Sequence, residues 1–316
     1  MRFVPSPILK NLKFLQLRYY FMKIGIIGNG LMGSAIAHRL LKKGYEVYLY
    51  NRSKERSNAL VKEGAIRMEH PMMLGKNCNF IIISVTDGHA VKEILFDDNG
   101  LVHCNNNQLT VVDTSTVLPE DSIYCADQMN KMGYGIIQAP IMGGPDATMK
   151  GEVISIVSGN KKISEKCRKI LLNFSKKIFY VGNQDGAANY MKLGLNLNIA
   201  LIAISLSESI VFVKKSKADP KIFLEILNST YFKTGLSEIK GPKMIKNNFE
   251  PKFFLKNMLK DIQLLNECAK NNGATLSFSS LAEQYYRIAA NRGYSELDYT
   301  AILKLFCEFN NLVSSH

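Results

Sequence analysis

Residues 23–33 read KIGIIGNGLMG, and this stretch decides the fold. A short apolar run runs straight into three glycines spaced GxGxxG (Gly28, Gly30 and Gly33). The helical pattern LMGSAIAHRLLKKG follows, closed by Gly44. Strand, tight glycine turn and helix together form the context in which this spacing carries weight, because each glycine then has a task. Gly28 permits the turn, Gly30 lets a pyrophosphate approach the backbone, and Gly33 lets the helix lie against the strand. The helix N-terminus offers unpaired N–H groups to an anion. Gly28, Asn29, Gly30, Leu31, Met32 and Gly33 are therefore candidate contacts for a dinucleotide.

Outward from this unit the pattern alternates. EVYLYN reads as a strand and SKERSNALVKEG as a helix, with Ser53 as its N-cap and Gly64 as its stop. NFIIISV is a buried strand, a helix covers Gly88–Phe96, and LTVVDTS is again a strand. LPEDSIYCADQMNKMG is a helix opening at Pro119, and YGIIQAP, VISIVSG and KIFYVG complete the strands. Short apolar strands separated by helices predict a mostly parallel sheet covered on both faces. After Gly182 the strand signal stops. A long helical pattern at about 185–214 is followed by helices near 219–228, 236–246, 254–272, 275–291 and 297–310. The expected fold is α/β: a Rossmann-type dinucleotide-binding domain over 22–183, then an all-α domain over 184–316 for substrate and dimerisation, with a long interdomain helix. Residues 1–21 are basic and lack acids; they read as a poorly structured extension ahead of Met22, a targeting segment being the alternative.

The chain is 47% apolar and 21% charged, the balance of a soluble globular protein. Its formal charge of +13 admits an anionic partner, although a solvated lysine-rich surface accounts for it as well. Neither a nucleic-acid reader motif nor a metal-ligand cluster is present. Six scattered cysteines without a CxxC pair fit a reducing, cytoplasmic setting. Residues 193–213 are long enough to span a membrane, but Asn196, Asn198, Ser205, Ser207, Glu208 and Ser209 interrupt them. No membrane partner is expected. The apolar helix suggests a homodimer or homotetramer instead.

The second strand ends in Asn51, Arg52 and Ser53. A site for NAD places an acid there to hold the ribose hydroxyls. An arginine without an acid suits the 2′-phosphate of NADP, with NAD as the alternative.

These motifs, in order IGIIGNGLMG, YNRS, VDTSTVLPED, APIMGGPDATMKGEVISIVSG, GAANYMKLGLNLN and FFLKNMLKDIQL, resemble those of the β-hydroxyacid dehydrogenases. That family includes 3-hydroxyisobutyrate dehydrogenase and the glyoxylate/succinic semialdehyde reductases, and the resemblance runs from Met22 to about Leu312. It implies that Val85 and Thr86 line the cofactor groove, that Ser115 and more strongly Thr116 lie beside the cofactor, and that Lys260 reaches it. It implies that Phe253 and Asp261 belong to the substrate side, and that Lys192 and Asn196 are the catalytic pair. One residue departs. Relatives read APVSGG, with the serine contacting a substrate carboxylate, where this chain has Met142. Methionine cannot donate that bond, although the N–H groups of Gly143 and Gly144 remain.

The implied chemistry is hydride transfer between the nicotinamide and a small carboxylate-bearing β-hydroxy acid or semialdehyde. The cofactor supplies the hydride but not the proton. A lysine can give that proton in reduction and take it in oxidation, once desolvation or a nearby cation makes it less basic than its ordinary pKa of about 10.4. Asn196, four residues on, shares a helix face with Lys192. The competing reading is a non-catalytic NADP-binding protein of the same fold with a basic surface for an anionic partner; Lys192 and Asn196 count against it. An imine reductase on a similar scaffold is disfavoured by the same lysine.

Overall fold

A computed structural model describes residues 22–312; the extension over 1–21 lies outside them. The described residues divide into two compact units, up to Lys192 and from Leu193.

The first unit is built on a nine-stranded sheet: β1 (Lys23–Ile27), β2 (Glu46–Tyr50), β3 (Ile66–Arg67), β4 (Phe80–Ile83), β5 (Thr110–Asp113), β6 (Gly135–Gln138), β7 (Ile141–Met142), β8 (Val153–Ser158) and β9 (Ser175–Gly182). The spatial order is β3-β2-β1-β4-β5-β6-β8-β7, with β9 also paired to β8. Strands β1 to β6 pair with one another in parallel, whereas β8 runs antiparallel to β6 and β7. The expected doubly wound, mostly parallel sheet is therefore present. Apolar residues alternate between its faces. Ile24, Ile26, Val47, Leu49, Ile82 and Val112 pack on one side with Ile36 and Leu40 of the first helix. Ile27, Ile81, Ile83, Val111 and Ile136 pack on the other with Leu74, Val91, Leu95 and Met129. A sheet buried on both faces needs such unbroken apolar strands, and that is why they were readable.

Register brings the motifs together. Tyr50 pairs with Ile27, Ile27 with Ile83, Ile83 with Asp113, Asp113 with Gln138, and Gln138 with Ser158. These residues form one line across the carboxyl ends of the strands, and the candidate cofactor loops leave from that line. The order turns back on itself at β1 and β4, the switch point where open α/β sheets bind ligands.

Some local expectations are corrected. Ser53 caps no helix through its side chain; a 3₁₀ turn over Lys54–Ser57 precedes a short helix, Asn58–Lys62. Ser57 is buried and accepts from Asn29 Nδ2 at 2.7 Å, which ties this turn to the glycine loop and displaces the helix start. The strands β3 and β7 have two residues each and carry no periodicity to read. The helix expected over 236–246 is broken into Gly235–Ile239 and Gly241–Ile245, where Pro242 lacks the N–H that would continue the ladder.

The second unit is helical. The long helix Ala187–Lys215 begins in the first unit and continues into it. The contact boundary thus falls inside this helix rather than at Asn183, because its opening turn is bonded to the sheet. It is also the one helix, among the described residues, long and apolar enough to cross a membrane. Ala200, Ala203, Ile204, Leu206, Ile210 and Val211 are nonetheless buried in the helical core, with Leu255, Met258 and Ile262 of Leu255–Asn272 and Tyr286 of Ser277–Ala289.

Candidate functional site

The glycine loop has the geometry a dinucleotide needs. Gly28 lies at φ +94°, and a Cβ there would stand 2.2 Å from Ser84 O. A Cβ on Gly33 would stand 1.8 Å from Gly28 O. These two glycines close the strand–turn–helix packing. Gly30 differs: it is exposed, and its Cβ would meet nothing within 4 Å. A side chain there would project into open space in front of the helix, where an incoming phosphate must come close. Leu31 opens that helix and is exposed, with Met32 half-buried behind it. The helix's hydrogen bonding starts with Ser34 N to Gly30 O, so the amides of Leu31, Met32 and Gly33 precede the ladder. The residues present fit a pyrophosphate.

Neighbouring loops are tied to this one. Asn29 N donates to Asn51 Oδ1 at 2.8 Å, and Asn51 Nδ2 donates to Ser53 O at 2.8 Å. The Asn51 amide is thereby engaged in holding the two turns in register, while Arg52 and Ser53 stand exposed beside it. Asp113 Oδ1 accepts from Ser115 N at 2.9 Å, and Ser115 Oγ accepts from Val85 N at 3.0 Å. The Ser115 hydroxyl thus joins the loops after β4 and β5 from inside the protein. Thr116 is half-buried next to it, whereas Thr86 is exposed with its hydroxyl on Asp87 at 3.0 Å. Asp113 is buried, and burial pushes its carboxyl up to about 6 against the hydrogen bonds from Ser115.

Lys192 is 9% exposed. Its Nζ donates to Ile141 O at 2.8 Å and stands 3.2 Å from Met142 Sδ. The candidate lysine and the candidate loop are therefore brought together, and the methionine faces the lysine's nitrogen. After Met142 the chain turns through Gly143, at φ +136°, into Gly144, which precedes the short helix Pro145–Lys150.

Two residues that sequence reasoning did not single out fasten the lysine's helix. Gln138 Oε1 accepts from Gly186 N at 3.2 Å, and Ser158 Oγ accepts from Ala188 N at 3.1 Å. Both sit on the line across the strand ends. A polar residue closing a mainly apolar strand, as in YGIIQ and VISIVS, is the signal that marks them.

In the helical unit, Asn196 Nδ2 donates to Asp261 Oδ2 at 2.6 Å. The Lys260 ammonium lies 2.9 Å from Asp261 Oδ1. Asn196 and Asp261 are buried and Lys260 is half-buried. Asn196 thus gives one of its two amide N–H groups to a carboxylate, a partner that its spacing from Lys192 does not reveal. Phe253 is half-buried, edge-on to Tyr299 at 6.0 Å between ring centroids. Among the described residues no group of three or more metal-ligating side chains occurs.

Comparison with known proteins shows the family. Residues 23–182 match the family model described as the NAD binding domain of 6-phosphogluconate dehydrogenase, and residues 186–306 match that described as the NAD-binding of NADP-dependent 3-hydroxyisobutyrate dehydrogenase. An uncharacterised oxidoreductase of Bacillus subtilis is 31% identical, over 90% of this chain and 99% of its own. The chain belongs to the β-hydroxyacid dehydrogenase family. This dehydrogenase is an NAD(P)-dependent enzyme of the 3-hydroxyacid dehydrogenase and semialdehyde reductase type. The chloroplastic glyoxylate/succinic semialdehyde reductase 2 of Arabidopsis thaliana is 28% identical to the dehydrogenase, over 90% of this chain and 79% of its own. The fold of the dehydrogenase matches the crystal structure of 3-hydroxyisobutyrate dehydrogenase from Salmonella typhimurium with a TM-score of 0.82, at 20% identity over 90% of this chain and 100% of the other.

Proposed function

We propose that the dehydrogenase uses NADP and transfers a hydride between the nicotinamide and a small β-hydroxy acid or its semialdehyde, with Lys192 as proton donor in reduction and acceptor in oxidation. The observation that carries this reading is a buried lysine amine held by Ile141 O at the carboxyl edge of a dinucleotide-type sheet. The nicotinamide, when bound, supplies or takes the hydride. The protein's residues do the rest. The amides after Gly30 hold the pyrophosphate, and Arg52 with Ser53 receives the 2′-phosphate on a turn fixed by Asn51. Val85, Thr86, Ser115 and Thr116 border the nicotinamide side. The N–H groups of Gly143 and Gly144 take the substrate carboxylate, in a site that lacks the family's serine hydroxyl. Lys192 delivers a proton to the oxygen on which charge develops; Asn196, bonded to Asp261 in the helical unit, keeps the role that the family resemblance implies. Phe253 and Lys260 keep the roles that the family resemblance implies. The name of the Arabidopsis relative supports this substrate class.

We further propose a cytoplasmic homo-oligomer. All six cysteines are free and buried, as in a reducing compartment, and Phe212, Ile222, Ile226 and Phe232 expose apolar area on the helical unit.

The test is NADPH oxidation with glyoxylate, succinic semialdehyde, malonic semialdehyde and methylmalonic semialdehyde, each repeated with NADH. Consumption of NADPH with at least one of them, at a higher kcat/KM than with NADH, is the expected result. Equal use of NADH removes the NADP assignment, and no consumption with any of the four removes the substrate class.

A further inference from the structure

Met142 stands beside the candidate lysine, and its neighbours show what holds it there. Met142 lies in β7, opposite Ile154 of β8. The next residue, Gly143, has φ +136°, and a Cβ there would stand 2.7 Å from Val153 Cγ1. Strand pairing on one side and a glycine-only turn on the other fix this short segment. Acceptors of unequal strength thus stand at fixed places against the Lys192 ammonium, among them the Ile141 carbonyl at 2.8 Å and the Met142 thioether at 3.2 Å. A carbonyl oxygen binds an N–H strongly, whereas thioether sulfur is a weak acceptor. The N–H directed at sulfur is the one that a better acceptor displaces with less loss.

We propose that Met142 is a positioning residue for Lys192: its sulfur holds one ammonium N–H in the direction from which the oxygen of a carbonyl substrate later takes it. This rests on the reading of Lys192 as proton donor. A thioether adds no donor of its own that would compete for the substrate, and it releases the N–H when an oxygen arrives. Met142 then acts on proton delivery, through the lysine, rather than on substrate binding.

Two variants separate these roles. Met142→Leu keeps the volume and apolar character and deletes the acceptor, a swap that cores tolerate well. Met142→Gln puts a carbonyl oxygen near the sulfur's place, an acceptor that the substrate must displace against stronger resistance. Steady-state kinetics are measured with NADPH and whichever of the four carbonyl acids supports turnover. The expected result for Met142→Leu is a kcat lowered about three- to tenfold with the substrate KM within about twofold of wild type. The expected result for Met142→Gln is a raised substrate KM. A spectroscopic readout stands beside these. In protein carrying ¹³C-methyl methionine, the Met142 signal, identified by its loss in Met142→Leu or Met142→Gln, shifts when NADP⁺ and the same carbonyl acid form a non-reacting complex. A raised KM with unchanged kcat in Met142→Leu would make Met142 a wall of the substrate site and overturn the proposal. Unchanged kinetics in both variants, or an unmoved methyl signal, would overturn it equally. Lys192→Met distinguishes the two levels. Turnover retained there removes the lysine's role, whereas turnover lost there with kcat intact in Met142→Leu removes only the role of Met142.

Discussion

Arg52 and Asp113 show how single residues at the strand ends act in different ways. Arg52 is exposed at a turn whose neighbour, Asn51, is already bonded to Asn29 and Ser53. The guanidinium is the group proposed to receive a 2′-phosphate. Arg52→Ala should lower kcat/KM for NADPH by about tenfold or more while leaving NADH within about twofold, since a charge-assisted contact is lost from one cofactor alone. Equal losses for both cofactors would contradict that assignment. Asp113 works from inside. Burial raises its carboxyl to about 6, above its value in the unfolded chain. The group's contribution to stability is therefore full below about pH 4 and is lost as pH rises through 6. Asp113→Asn keeps an oxygen for the Ser115 amide and removes the buried charge. It should be more stable than wild type at pH 8 by about 1–3 kcal/mol, a gap that narrows by pH 5. Urea unfolding at the two pH values measures this, and a gap independent of pH would show that the carboxyl is not the cause.

At the scale of elements, the helix that carries Lys192 is held at its start by side chains from two strands. Ser158 Oγ accepts from Ala188 N and donates to Gln138 Oε1, and Gln138 in turn accepts from Gly186 N. Ser158→Ala leaves a buried helix-terminal amide without its acceptor, at a cost of about 1–3 kcal/mol. Because the lysine lies one turn further along, kcat should fall more than the substrate KM rises. Urea unfolding and steady-state kinetics on the same preparation test this; full stability together with full kcat would show that the cap is dispensable. Local patterns fixed much of the element reading. The strand–glycine–helix unit was legible because each of its constraints falls within a few residues, and the apolar strands because both sheet faces are buried. Elements of two residues, such as β3 and β7, were not legible, since pairing with a neighbour makes them and periodicity does not. The start of the helix after Ser53 was misread because Ser57 bonds to Asn29, a partner 28 positions away.

At the scale of the whole molecule, the register of the sheet gathers the cofactor loops. Tyr50, Ile27, Ile83, Asp113, Gln138 and Ser158 stand side by side across the strand ends, although they come from well separated parts of the chain. The motifs could be read singly from the sequence, and the family resemblance supplied their roles. Their side-chain partners could not. Met142 was noted for the hydroxyl it lacks, and its contact with Lys192, 50 positions on, emerged only from the fold. The helical spacing that puts Asn196 on one face with Lys192 gives no sign of its bond to Asp261, 65 positions away. The positive charge of +13 stays compatible with a lysine-rich solvated surface.

Lys192 is proposed to move the proton that accompanies the hydride, and Lys192→Met removes that ammonium alone. The measurement is kcat with NADPH and the accepted carbonyl acid, taken together with the affinity for NADPH by fluorescence titration. Turnover should fall by at least about 10²-fold, the lower range for a positioned acid–base group, while NADPH binds with near wild-type affinity. Near-normal turnover in the variant would contradict it.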